Sequence, residues 1–271
     1  MPAMKLLLSV LFTSFLLSPL AASSQSTMLP NAYAHNDYWH KHPLFDALSN
    51  GFSYVEADVF LRKGELIVAH SMPLFGKRKT LEQLYLKPLL NYSSTETDSE
   101  NFPITLMIDI KSAACTTYMA LLQLLEKYRG MLSSYENGEF YQRRVTIVLT
   151  GHRPYELINA ATNRLVFVDE DLRKTGKDYC QNLYPVASCK YSRISKWKGK
   201  GIMPASDRHQ LKNYVAQAHA NGRKVRLWAS PENKAVWATL LQCNVDLIST
   251  NKLEKLKNFL TERQVLVAKA R

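Results

Sequence analysis

Glycine is scarce in this 271-residue chain, at 10 positions, with 11 prolines and only four cysteines. With 46% hydrophobic and 21% charged residues, the composition excludes a collagen-like, low-complexity or disordered chain. No internal repeat of short period occurs. No Gly-rich phosphate turn follows the first strand-like run, which argues against an open doubly wound sheet. Acidic residues are also in short supply: 23 Asp and Glu face 35 Lys and Arg, leaving +12 at neutral pH. Such an excess favours anionic partners without choosing among phosphates, nucleic acid and acidic membranes. No recognisable nucleic-acid module or aromatic-rich basic motif is present, so nucleic acid is not expected as a partner.

The one apolar run that stands out, Leu6–Leu17, is shorter than the roughly 20 residues a spanning helix needs. Lys5 precedes it, and Pro19, Ala21, Ala22 and Ser23 follow. That pattern reads as a secretory signal over residues 1–24, with a retained membrane anchor as the alternative. The expected location is secreted or periplasmic, and residues 25–271 are expected to form one domain. In an oxidising compartment Cys180 and Cys189 are spaced to close a short loop as a disulfide. Cys115 and Cys243 fall in helix-like stretches and read as core residues.

Strand-like runs occur at Asn31–His35, Tyr54–Leu61, Glu65–His70, Ile104–Lys111, Val145–Thr150, Arg164–Asp169, Val225–Ser230 and Val245–Thr250. Most are short and continuously apolar, as in parallel strands covered on both faces. Helical patterns separate them, at Pro43–Asn50, Thr80–Leu90, Thr116–Tyr128, Asp207–Ala220 and Asn233–Gln242. The alternation predicts one α/β domain, a (β/α)8 TIM barrel. Two stretches interrupt the rhythm. Asn91–Asn101 reads as a polar loop, and Arg173–Pro204 as a long basic connector at the catalytic rim.

In such barrels the reacting groups stand at the C-terminal strand ends. Glu56 and Asp58 are two apart on a strand and share one face, as do Asp109 and Lys111. Carboxylates converging inside a barrel are costly unless paired or metal-bound. A hard divalent cation, Mg²⁺ or Ca²⁺, suits an all-oxygen set. Lys111 offers a fixed positive charge for a phosphate oxygen. His35 and His70 titrate near neutrality, as general acid and base work requires. Together these groups point to metal-assisted attack on a phosphodiester. Each has a plainer reading: a polar strand face, a structural histidine, an ion pair at a strand end.

The order His35, Glu56-x-Asp58, Gly64 to His70 and Asp109-x-Lys111 resembles the glycerophosphodiester phosphodiesterase superfamily, PLC-like phosphodiesterases on a TIM barrel. The segment Ala34-His35-Asn36-Asp37-Tyr38 is similar to the start of a subgroup related to the altered-inheritance-of-mitochondria proteins. Further matches run through Pro43–Leu48, Tyr54–Val59, Thr80–Leu89, Val225–Pro231 and Val245–Asn251. The resemblance implies Glu56, Asp58 and Asp109 as metal ligands, His35 and His70 as catalytic acid and base, and Lys111 on phosphate. Asn36 stands where true glycerophosphodiesterases have Arg, and Asp109 where they have Glu. Ser71 and Asn251 replace two further Asp residues. Arg226, sharing a strand face with Trp228, is the expected substitute clamp, and Asn36 and Trp228 are also expected on the substrate. Arg153 is a further candidate. The implied substrate is an anionic small molecule or lipid phosphodiester, with transient contact to a membrane surface. The alternative is a non-catalytic barrel that keeps the metal site to bind a phospholipid or phosphosugar.

Overall fold

The computed structural model describes residues 28–72, 79–92, 103–175 and 183–269. The 1–24 segment, Cys180 and nearly all of the polar loop lie outside the described residues. Eight strands run parallel: β1 (Ala32–Ala34), β2 (Tyr54–Arg62), β4 (Ile104–Ile110), β7 (Val145–Gly151), β8 (Val166–Asp171), β9 (Val186–Lys190), β10 (Lys224–Trp228) and β11 (Ile248–Thr250). Their order is β10-β9-β8-β7-β4-β2-β1-β11, and a parallel bridge between Arg226 and Leu247 joins the two ends. The sheet is a nearly closed barrel. Two antiparallel ribbons add to it: β3 (Glu65–Val68) folds back on β2, and β5 (Ser134–Glu136) pairs with β6 (Glu139–Tyr141). Helices α1 (Phe45–Ser49), α2 (Lys87–Asn91), α3 (Ala114–Glu126), α4 (Tyr155–Ala160), α5 (Ala205–Ala220), α6 (Lys234–Gln242) and α7 (Leu253–Lys269) accompany the strands, with short 3-10 segments and a π-helical turn over Glu82–Leu86, and no described helix is long and apolar enough to cross a membrane.

The period of two along each strand sorts the side chains. Val55, Ala57, Leu106, Ile108, Ile147, Leu149, Val225 and Leu227 belong to the large core that also holds the buried helix residues. The alternate set points into the barrel. Tyr33, Met107, Val148, Phe167, Val186 and Leu247 form an apolar plug there. Two residues further along the strands, Met107 gives way to Asp109, Val148 to Thr150, Phe167 to Asp169 and Val186 to Ser188. A polar layer therefore rests on an apolar one, at the C-terminal end.

The supposed connector Arg173–Pro204 contains the sixth barrel strand, β9. Val186-Ala-Ser-Cys-Lys carries a single branched aliphatic, so its apolar signal is weak, and its small residues fit between longer neighbours. The expected Cys180–Cys189 pairing falls partly outside the described residues, within which Cys189 is a free thiol. It faces the apolar layer between β9 and the helices, and burial pushes its pKa up to about 12.

After β1 the chain turns sharply through Asn36, whose φ is 49°, and Asp37 anchors the turn. Asp37 accepts hydrogen bonds from the Leu44 amide and from Tyr85 Oη at 3.0 Å, while its Oδ1 has no partner. Burial outweighs both bonds and pushes its pKa up to about 6. The folded state thus holds this proton more tightly than the unfolded chain does. The stability it lends is complete below about pH 4 and lost as pH rises through 6, a difference of roughly 3 kcal/mol. Asp37→Asn is expected to flatten the urea-unfolding free energy between pH 4.5 and 7.5 relative to wild type. Parallel profiles for the two proteins would overturn this.

Candidate active site at the barrel mouth

The site is built from strand register. Parallel pairing sets Asp58 directly across from Asp109, and Asp109 across from Thr150. Glu56 lies one inward position below Asp58. Oxygens of Glu56, Asp58 and Asp109 consequently fall within 4.8 Å of one another. Above β4, Lys111 reaches back to Asp109 Oδ2 at 2.7 Å and Asp58 Oδ2 at 3.2 Å.

His70 arrives by another route. Lys63 and Gly64, with φ of 50° and 81°, make the tight turn between β2 and β3, a conformation that glycine adopts without strain. The ribbon then returns along β2 until the Ala69 amide bonds the Asp58 carbonyl at 3.1 Å. His70 Nδ1 thereby lies 3.2 Å from Asp58 Oδ2, with half its side chain exposed. His35 follows β1, and its Nδ1 lies 3.0 Å from Asn251 Oδ1. Asn36 Nδ2 lies 3.1 Å from the same nitrogen, so two amides hold the ring through Nδ1.

His35, Asn36, Glu56, His70, Asp109, Lys111, Arg226 and Trp228 all line one cavity of about 710 Å³. Asp58 lies beneath it, 1% exposed. Asn36 is 2% exposed, with its Oδ1 2.8 Å from Tyr38 Oη and its Nδ2 3.1 Å from His35 Nδ1, so its amide is occupied within the turn. Trp228 stands on the rim, 39% exposed.

Arg226 faces inward, but it is not the free clamp expected from its strand position. Its guanidinium donates to Glu56 Oε2 at 3.0 Å, lies 3.9 Å from Asp169 Oδ2 and covers the Tyr33 ring at 4.3 Å. Burial opposes ionisation of Glu56, yet Arg226, then His35 and the Tyr33 hydroxyl outweigh it and hold the carboxyl below its usual range. Asp169 fares differently: burial outweighs the more distant Arg226 and raises its pKa. Burial works against the Lys111 ammonium as well, but the adjoining carboxylates win and raise its pKa.

Sequence reasoning missed Tyr38, Tyr33, Asp169 and Ser188 as parts of this cluster. Tyr38 Oη donates to Asp58 Oδ2 at 2.9 Å and lies 3.3 Å from His70 Nδ1, tying β2 to the ribbon. Ser188 donates to Asp169 inside the barrel. The replacement of Phe167 by Asp169 at the next inward position was the available signal.

The carboxylates fit a bound cation on two counts. Asp58 Oδ2 receives Tyr38, His70 and Lys111, and Asp109 Oδ2 receives Lys111, whereas Oδ1 of each is buried without a partner. Over the carboxylates and fixed cations joined by direct ion pairs the charges also fail to cancel: Glu56, Asp58, Asp109 and Asp169 against Lys111 and Arg226 give 2 − 4 = −2, with Arg153 acting on Asp169 from farther off. Burial, then Glu56 and Asp109, push the Asp58 pKa upward, the response of a carboxyl short of positive charge. Gly151, with φ of 72°, preserves the open side of Asp109. A Cβ there would stand 2.0 Å from Asp109 Oδ1 and 2.5 Å from the Ile110 carbonyl.

A family profile described as an AIM6-like phosphodiesterase domain matches residues 23–103 and 95–169. Altered inheritance of mitochondria protein 6 of Eremothecium gossypii is 27% identical over 271 residues, covering 86% of this chain and 70% of that protein. The homologue from Arthroderma benhamiae is 25% identical over 261 residues, covering 84% and 82%. The Saccharomyces cerevisiae protein of the same name (strain RM11-1a) is 30% identical over 239 residues, covering 73% and 61%. Among solved structures, a glycerophosphodiester phosphodiesterase from Parabacteroides distasonis superposes with a TM-score of 0.57 at 16% identity, covering 87% of this chain and 99% of that one. The chain belongs to the AIM6-like phosphodiesterase domain family and carries its site on a TIM barrel.

Proposed function

We propose that this protein is a metal-dependent phosphoric diester hydrolase acting on a glycerophosphodiester or a phospholipid head group. The observation that carries the reading is the pair of unpartnered inner oxygens, Asp58 Oδ1 and Asp109 Oδ1, beside two imidazoles in one cavity. Glu56, Asp58 and Asp109 would hold a divalent metal such as Mg²⁺ or Ca²⁺. A bound divalent ion would supply positive charge against the negative charge developing on the phosphoryl oxygens.

The remaining work belongs to the chain's own groups. Lys111 stands at the cavity wall, 28% exposed, as a fixed cation for a non-bridging phosphate oxygen. His35, held through Nδ1 by Asn251 and Asn36, presents Nε2 as the base that takes a proton from the attacking oxygen. His70 has Nδ1 against Asp58 and Tyr38, so Nε2 is the position from which a proton passes to the leaving alcohol. The attacking oxygen is water or a neighbouring hydroxyl of the substrate. Arg226 and Tyr33 fix Glu56, and their contribution is placement.

The test is hydrolysis of bis(4-nitrophenyl) phosphate by the full chain, with Mg²⁺ or Ca²⁺ and with EDTA. Turnover with metal that EDTA abolishes is expected. No turnover under any condition would leave a binding barrel as the better account. Turnover indifferent to EDTA would remove the metal.

A further inference from the structure

We propose that the wall of the cavity opposite the carboxylates is a second anion subsite, built by Arg153, Lys190 and Arg193, which takes a phosphate monoester carried by the substrate. This deepens the phosphodiesterase reading and, as a statement about substrate, rests on it.

The barrel order supplies the geometry. Counting β2-β4-β7-β8-β9 one way and β2-β1-β11-β10-β9 the other, β9 is diametrically across from the strand that carries Glu56 and Asp58. Lys190 ends β9, and Arg193 closes the short 3-10 turn after it. Arg153 follows β7. All three line the same cavity as the histidines. A substrate whose diester phosphate lies at the triad therefore extends toward these cations.

Their state is what points to a ligand. The other buried or rim cations of this mouth are committed: Arg226 to Glu56, Lys111 to Asp58 and Asp109, and Arg173 to Asp171 at 2.6 Å. Among the described residues no carboxylate lies within ion-pair distance of Arg153, Lys190 or Arg193. Two of the three are nevertheless held in place. The Arg153 guanidinium donates to Thr150 Oγ1 at 3.2 Å and covers the Tyr155 ring at 4.9 Å, with its Nε buried and unpartnered. Lys190 Nζ stands 5.6 Å over the Trp228 ring. Neutral contacts thus orient cations that no described carboxylate pairs directly, although Arg153 acts on Asp169 from beyond ion-pair distance.

Three cations without a direct carboxylate partner on one wall offer more positive charge than a monoanionic carboxylate carries in return. A dianionic phosphate monoester suits them, and arginine forks match its oxygens. A neutral glycerol or a choline head group gains nothing from this wall. The substrate class is accordingly a phosphodiester whose alcohol bears a further phosphate.

Two measurements test this. The first compares kcat/KM for bis(4-nitrophenyl) phosphate and for a 4-nitrophenyl phosphodiester whose second alcohol carries a phosphate monoester. Wild type is expected to prefer the latter at least ten-fold, and Lys190→Ala/Arg193→Ala to bring that ratio near one. Lys212→Ala, a charge removed from the outer helix α5, is expected to keep the preference. No preference in wild type, or one retained by the double variant, would overturn the subsite. The second titrates inorganic phosphate and, separately, acetate into the full chain without added metal. Wild type is expected to bind phosphate at least ten-fold more tightly than the double variant does, and more tightly than it binds acetate. This arm needs no turnover, so phosphate bound through Lys190 and Arg193 by a protein that cleaves no diester keeps the subsite and removes the enzyme. Equal binding by both proteins overturns the subsite whether or not diesters are cleaved.

Discussion

Replacing Arg226 with methionine is expected to destabilise the fold by about 3–5 kcal/mol. The residue is 3% exposed, its guanidinium is the direct positive partner of Glu56, and it is also the nearest cation to Asp169. Removing it strands two carboxylates that are themselves 3% and 2% exposed, and it leaves the Tyr33 ring without its cationic partner. A buried pair gives little net stability when formed, because desolvation offsets most of the attraction. Breaking it from one side is costly for the same reason: the surviving charge has neither water nor a partner. The control is therefore Glu56→Gln/Arg226→Met, which is expected to recover a good part of the loss, since one of the stranded charges is gone. Arg226→Lys is expected to fall between, as an ammonium cannot reach both carboxylates with a planar fork. The measurement is urea unfolding at neutral pH. A loss below about 1 kcal/mol for Arg226→Met would show that Glu56 is hydrated through another route.

The two histidines are expected to separate by leaving group. His35→Ala should lower kcat by about 10²–10⁴-fold on any phosphodiester, because the attacking oxygen must lose its proton whatever departs. His70→Ala should lower it by a comparable factor when an alkyl alcohol leaves, since an alkoxide departs poorly without protonation. With 4-nitrophenolate leaving, a good anion in its own right, the His70→Ala loss should shrink below about ten-fold. Parallel kinetics on an alkyl and an aryl diester check this, with circular dichroism to confirm folding. The His70 side chain is 55% exposed, so its removal disturbs little packing. Equal losses for His70→Ala on both substrates would remove it as the proton donor. The reverse pattern, with His35 sensitive to the leaving group, would exchange the two roles.

The barrel was legible where strands repeat a strong local signal. Ile104–Ile110 and Val145–Gly151 are runs of branched and long apolar residues, and buried parallel strands need little else. β9 was not legible, because Ala187, Ser188 and Cys189 are small and mixed, and their strand identity comes from pairing with β8 and β10. At the site, Glu56-x-Asp58 and Asp109-x-Lys111 announce a shared face by spacing alone. What places them together is the Asp58–Asp109 register, a long-range pairing that spacing within one strand does not encode. The position of Arg226 was readable and its role was not. Strand alternation says that a side chain points inward, while the choice between ligand and internal counterion depends on Glu56 and Asp169, each more than 50 positions away. Tyr38 was overlooked for a related reason: it acts across a hairpin, and only the turn at Lys63 and Gly64 brings His70 to it.

The seam between β10 and β11 rests on little backbone pairing among the described residues, and Arg226 stands at that seam. From there its side chain crosses the interior to β2 and to β8. The acidic residues near the reacting centre are thus fastened to the same strut that helps hold the cylinder shut. A descendant that gave up chemistry would not be at liberty to drift to neutrality one carboxylate at a time. Losing Glu56 alone would slacken the tie as well as the pocket. Retired members of such a lineage should carry oily replacements at positions 56, 169 and 226 as a set, or keep all three polar groups long after turnover has ceased.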